Sequence, residues 1–175
     1  MKLSALTFLL ISLGFVLTMP ASAQQQKPED FAKQFYQKYL DLNVRGLPDE
    51  KELKSLSPYL SDDLRRLFEK AQLEQKRFIE KNPVDMKPPW VDGEMFTSLF
   101  EGAQSFKIAE VKTRGVYTDV SVNLEYKENS ETSRWTDTLV LVNIKKGWRV
   151  WDILLKGDWQ FKAGSNLRQM LRAKN

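Results

Sequence analysis

Val120-Ser121-Val122-Asn123-Leu124-Glu125-Tyr126 alternates apolar and polar residues without a break. Side chains of an extended strand point to opposite faces in turn, so Val120, Val122, Leu124 and Tyr126 share a buried face. Ser121, Asn123 and Glu125 face water. Arg114-Gly115 before this stretch and Glu128-Asn129-Ser130 after it carry turn residues. Downstream, Arg134 to Ile144 is apolar on both faces near its end, which predicts a central strand. Lys145-Lys146-Gly147 turns the chain into Trp148 to Leu155, and Phe106 to Val111 supplies a strand on the upstream side. Four antiparallel strands joined by hairpins are expected.

Upstream the apolar period lengthens to that of a helix. Pro28-Glu29-Asp30 opens a first helix with acidic residues at its positive end, and Phe31, Phe35, Tyr36, Tyr39, Leu40 and Leu42 follow on one face. Gly46 is expected to end it. Leu47-Pro48-Asp49-Glu50 starts a short second helix reaching about Leu56, and Ser57-Pro58 resets the chain. In the third and longest helix, Leu60, Leu64, Leu67, Phe68, Ala71 and Phe78 make the apolar stripe. A last helix runs from about Ser165 to Arg172 with Leu167, Met170 and Leu171 inward. Helices followed by an antiparallel sheet is an α+β order. A strongly twisted sheet around a long helix makes a cone with an open end, which resembles the nuclear transport factor two-like, or cystatin-like, architecture.

Between the halves, residues 82 to 105 carry Pro83, Pro88, Pro89, Gly93 and Gly102, which forbid regular structure over most of the segment. Trp90, Met95, Phe96, Leu99 and Phe100 make it too apolar for an idle linker, and a long irregular segment inside a domain is often functional.

The first 23 residues read as a cleaved secretory signal: Lys2, an apolar stretch from Leu6 to Leu17, Pro20, then Ala21-Ser22-Ala23. The stretch is twelve residues long, interrupted by Thr7, Ser12 and Gly14, and falls short of the roughly twenty that span a bilayer. Residues 24–175 are then expected to form a single domain, with its core at about 29–172. The chain has no cysteine, which excludes disulfides, thiolate metal sites and lipid attachment at the cleavage site. A signal with no cysteines points to the periplasm of a Gram-negative bacterium. Charges of both signs are interspersed, for a net +4, so no nucleic-acid surface is expected.

Three stretches carry a further resemblance: Phe35-Tyr36-Gln37-Lys38-Tyr39-Leu40, Pro88 to Gly102, and Trp135-Thr136-Asp137 with Gly147-Trp148-Arg149-Val150-Trp151-Asp152-Ile153. Together they resemble a bacterial family known as domain of unknown function 3828, over roughly residues 29 to 172. The resemblance implies an exported or envelope protein of this helical-then-sheet type. Similar small folds include periplasmic immunity proteins that block peptidoglycan-cutting toxins. It carries no catalytic residue over to this chain.

Histidine is absent, which removes the usual base near neutral pH and the commonest metal ligand. Nucleophilic serine–histidine or cysteine–histidine machinery is impossible within the chain, and no phosphate loop or nucleotide fingerprint occurs. No cofactor and no metal are expected. The best carboxylates are Asp137, on a strand face with Trp135, Leu139 and Leu141, and Asp152, on one with Trp148, Val150 and Leu154. A carboxylate on an apolar face titrates high unless it is hydrogen-bonded. The turn between their strands decides whether they pair. With Lys146-Gly147 as the turn they lie about 13 Å apart along the strands, beyond the roughly 5 to 9.5 Å of a two-carboxylate mechanism. Three turn residues put them on opposite faces, and four bring them to about 7 Å. Each singly is expected to accept hydrogen bonds.

In the irregular segment, Trp90, Asp92 and Glu94 offer a recognition edge over the open end of the cone. The plainer reading has Trp90, Phe96 and Phe100 plugging that end with the carboxylates solvated. Trp151, Trp159 and Phe161 are core by default. These readings converge on a non-catalytic periplasmic binding protein without stable membrane insertion. Trp90, Asp92 and Glu94 form its contact edge, Trp135 and Trp148 its apolar wall, and Asp137 or Asp152 orients a polar ligand group. The partner is a small amphipathic ligand in the cone or another envelope protein at the loop edge. The alternatives are an immunity-type inhibitor of a wall hydrolase and a carboxylate-dependent isomerase or hydrolase, the latter losing activity but not folding in Asp137→Asn or Asp152→Asn.

Overall fold

A computed structural model describes residues 26–91, 93–158 and 166–172. The segment expected to be a signal, Asp92, Trp159 and Phe161 lie outside the described residues. The elements run α1 (Pro28–Leu42), α2 (Glu50–Leu56), α3 (Asp62–Lys81), β1 (Ser105–Arg114), β2 (Tyr117–Glu128), β3 (Glu131–Ile144), β4 (Gly147–Leu154) and α4 (Leu167–Arg172). The architecture is α+β, with an antiparallel sheet in the order β1-β2-β3-β4.

All three hairpins close through two-residue turns, shown by the pairs Arg114 with Tyr117, Glu128 with Glu131, and Ile144 with Gly147. Gly115 and Asn129 supply the left-handed backbone that two of these turns require. The β2–β3 register sets Val120, Val122 and Leu124 opposite Leu139, Asp137 and Trp135. These six residues are buried, as the alternation predicts, while Tyr126 on the same face is only partly buried. β3 is buried on both faces from Asp137 to Leu141, which marks it as central.

Helix α1 begins with Pro28 in its first turn, where a missing N–H costs nothing. It ends at Leu42 rather than Gly46, because Asn43 takes the left-handed cap conformation at φ 47°. Gly46 serves a different need. A Cβ there would lie 2.5 Å from the Trp90 carbonyl oxygen, and the Gly46 and Leu47 amides donate to Gly93 and Trp90 carbonyls at 2.9 and 2.8 Å. The irregular segment is thus stitched to the α1–α2 connection. Asp49 and Glu52 form a reciprocal capping box on α2.

Helix α3 starts after Leu60, which instead forms a parallel bridge to Val150 on the outer edge of β4. Its buried residues stop at Ala71, and from Gln72 to Lys81 no side chain is fully buried. The second half of the longest helix therefore projects from the core.

The core is one cluster joining α1, α2, α3 and α4 to the sheet, with part of the irregular segment inside it. Phe96 is fully buried, its ring 5.6 Å from Phe68, 5.5 Å from Tyr39 and 6.2 Å from Phe35. It thereby joins α1 to α3. Phe96→Ala is expected to cost about 3–5 kcal/mol, measured as a lower urea midpoint with an unchanged slope. A loss under 1 kcal/mol would show that the segment is not part of the core.

Candidate functional site

Residues 94 to 102 enter the body on two buried carboxylates. Asp137, on the inner face of β3, accepts from the Ser98 hydroxyl and the Lys156 amide (2.8 Å) on Oδ1. Oδ2 accepts from the Ser98 amide (2.8 Å) and Trp135 Nε1 (3.0 Å). Ser98 Oγ accepts in turn from the Gly157 amide at 2.9 Å. Asp137 and Trp135 are two residues apart on one strand face, so the indole reaches the carboxylate without distortion. Both oxygens are spent on donors from three segments of chain, and the side chain is fully buried.

Glu94 is the second anchor. Oε1 accepts from the Met95 and Phe96 amides at 2.7 and 2.9 Å, and Oε2 from the Tyr39 hydroxyl at 2.8 Å. Gly102, at φ +82°, leaves room here, since a Cβ would stand 3.1 Å from Glu94 Oε2 and 3.2 Å from the Tyr39 oxygen. Burial raises the Glu94 carboxyl above its ordinary range, against the lowering effect of these hydrogen bonds and of Arg45. Burial first, and Glu94 second, push the Tyr39 hydroxyl far up, so it stays a donor. Tyr36, also raised by burial and then by Asp137 and Glu94, has a buried hydroxyl without a hydrogen bond.

The expected edge and wall are therefore redistributed. Glu94 is inside, not solvated at a rim. Trp90 is half-buried at φ 56°, its Nε1 donating to the Met170 carbonyl at 2.9 Å. Phe96 plugs the body, whereas Phe100 is about half exposed and lies over Gly93. Trp135 and Trp148 do not share a wall. Trp148 pairs with Asn143, eight residues along β3 from Trp135, and donates to the Gln26 carbonyl at 2.7 Å.

Asp152 does not share a face with Trp148 and Val150. The turn Lys145-Lys146 alone would set Asp152 opposite Leu139, on the Asp137 face. A bulge at Trp151 shifts it opposite Val140, on the other face. There it accepts from the Ile153 and Arg168 amides at 2.8 and 3.0 Å, and burial raises its carboxyl. The Arg168 guanidinium lies 4.4 Å above the Trp151 ring, a contact that holds α4 against the bulge. Asp137 and Asp152 form no pair, for this reason rather than through distance along the strands.

Sequence reasoning missed Ser98 and Tyr39. The signal for Ser98 was the polar pair Thr97-Ser98 set between Met95-Phe96 and Leu99-Phe100, all buried but Phe100. Among the described residues no group of three or more acidic side chains is placed to hold a metal ion, and no helix is long and apolar enough to cross a membrane.

Exposed apolar residues concentrate elsewhere. Leu73 and Ile79 lie on the projecting part of α3, and Val84, Met86, Val91 and Phe100 on the segment that follows. That segment is tied to α3 by Gln75, whose side-chain amide donates to the Pro89 carbonyl. The other large exposed apolar residues, Val116 and Ile144, sit at or beside hairpin turns.

Comparison of the chain with models of known protein families, with curated proteins and with solved structures finds no match.

Two predictions follow from the anchors. Asp137→Asn is expected to unfold the domain by about 2–4 kcal/mol, because an amide nitrogen would face donors where only an oxygen fits. Ser98→Ala should cost about 1 kcal/mol. Urea titration of both variants checks the order, and an Asp137→Asn midpoint equal to wild type contradicts it. For Glu94, the folded chain holds the proton more tightly than the unfolded chain. Its contribution to stability therefore falls as pH rises from the ordinary Glu range through the raised folded value. Glu94→Gln removes this titration, so its stability relative to wild type should improve as pH rises through that window. A variant-to-wild-type difference independent of pH refutes the assignment.

Proposed function

We propose that the chain is an exported, non-catalytic binding protein that takes an envelope protein as its partner. On this reading the body is nuclear transport factor two-like and belongs with the family that the sequence resembles. The observation that carries the proposal is the apolar crest formed by the end of α3 and the segment after it. Val84 is fully exposed, and Met86, Val91 and Phe100 on the same segment and Leu73 and Ile79 on α3 are exposed as well. Exposed apolar residues carried by α3 and the segment that follows it, with the core already filled by Phe96, fit a surface that another protein covers. The loop edge thus passes from Trp90 and Glu94 to their exposed neighbours.

A small ligand in the cone is less well supported. Of its two proposed orienting groups, Asp137 has both oxygens committed to protein donors, with Trp135 turned inward to it, and Asp152 accepts from the Ile153 and Arg168 amides. The same commitment weighs against a carboxylate enzyme.

The test is capture from the native envelope with wild type and with the double variant Val84→Asp/Met86→Asp, both positions being exposed and so neutral for folding. A protein retained by wild type and at least about tenfold depleted with the variant is expected, since charge in an apolar contact is costly. A wall hydrolase as that protein would make the chain an immunity-type inhibitor. Equal retention by both baits, or native mass spectrometry showing a bound small molecule and no protein, overturns the crest reading.

A further inference from the structure

The two edges of the sheet are finished differently. The outer edge of β4 is occupied: the Ser61 amide donates to the Val150 carbonyl at 2.9 Å, the Val150 amide to the Tyr59 carbonyl at 2.8 Å, and Leu154 bridges to Asn166. Among the described residues β1 pairs with β2 alone. An edge strand left in this way presents a row of backbone donors and acceptors to any chain that comes alongside.

Two concavities meet at the start of that edge. One, of about 660 Å³, runs between α1 and β1 and is lined by Lys33, Gln34, Gln37, Phe106, Lys107 and Ile108. The other, of about 440 Å³, crosses the sheet from Ser105 through Glu125 to Thr136. Phe106 and Lys107 belong to both. Phe106 and Ile108 pair with Leu124 and Val122 on the inner face, and the Phe106 ring lies 5.5 Å from that of Tyr36. Lys107 pairs with Asn123 on the opposite face. The straight register ends at a bulge after Ile108, which bounds the usable edge to a few residues.

We propose that Ser105–Ile108 is a strand-addition site for an extended, acidic segment of a partner protein. It is a second surface, independent of the apolar crest. Backbone hydrogen bonds to the free edge supply affinity, and alternate side chains of the added strand supply specificity. One set lies over Phe106 and Ile108 beneath α1 and calls for apolar residues. The other set faces Lys107. Charge decides the sign of the partner. Among the residues lining the two concavities the cations are Lys33, Lys107 and Arg134, and the one carboxylate is Glu125. Glu125 pairs with Arg134 at 2.7 Å and with Lys127 at 3.1 Å, which leaves Lys107 and Lys33 to set the sign of the surface. Lys33 has only an exposed contact to Asp30 at 3.7 Å, which is weak and easily exchanged. A segment bearing Glu or Asp at alternate positions meets this surface, and a basic one is repelled.

A lysine on an edge also serves simply to keep other strands away, and the experiment separates the two roles. Labelled protein is titrated with a capped heptapeptide alternating Val and Glu, and backbone amide shifts and hydrogen exchange are followed by NMR. The expected result is shifts and added exchange protection confined to residues 105–108 and the facing part of α1. Affinity should fall about tenfold in Lys107→Glu and vanish for the peptide N-methylated at alternate residues. Both alterations leave the fold intact, because Lys107 is exposed and the second change is in the ligand. No shifts along β1 at millimolar peptide, or equal binding by the N-methylated peptide or by its Val–Lys counterpart, overturns the proposal.

Discussion

A buried carboxylate can remain in an apolar core only when its oxygens are taken up by donors, and Asp137 meets that condition with groups from three separate segments. Trp135 belongs to its own strand, Ser98 to the segment between α3 and β1, and Lys156 to the chain leaving β4. Because Asp137 pairs with Val122 in the middle of the sheet's inner face, it cannot reach water by a small adjustment. Each donor is therefore held wherever the carboxylate holds it. An acceptor here does what a disulfide does in domains with paired cysteines. It ties together pieces of chain that no regular element connects.

The rest of the irregular segment follows from that tie. With Ser98 fixed, Phe96 two residues earlier falls between α1 and α3, where it stacks near Phe68. Glu94, two residues earlier again, turns back on the amides of Met95 and Phe96 and meets Tyr39 from α1. Residues 94 to 99 of a non-repetitive stretch thus all enter the body. Proline and glycine set its bends, and buried polar bonds replace the ladder that a strand or helix would have supplied. The outward residues of the same stretch and of the projecting α3 carry the apolar surface. The segment is at once a plug and a crest, and the two roles fall on different residues.

The bulge at Trp151 has a comparable effect on the far side of the sheet. One extra residue turns Asp152 away from Asp137 and toward the amide of Arg168, where it anchors α4. The two carboxylates that the sequence offers for paired chemistry become two independent anchors, one for the irregular segment and one for the C-terminal helix.

Much of this was legible in the chain itself. The alternation from Val120 to Tyr126, the turn residues around it and the helical spacing from Phe31 to Tyr39 reflect local periods of two and about 3.6, and local periods survive in any tertiary setting. They determined the α+β class, the antiparallel order of the strands and most of the core. Absent histidine and cysteine likewise limited the available chemistry without reference to structure. Tertiary contact alone decided the rest. Whether Glu94 faces water or Tyr39, whether Asp137 meets a ligand or Ser98, and which face Asp152 takes depend on residues 39 to 55 positions distant, or on one inserted residue in a ladder. Partners so far away leave no period in the sequence, because the bond is made in space between segments whose separation along the chain is arbitrary.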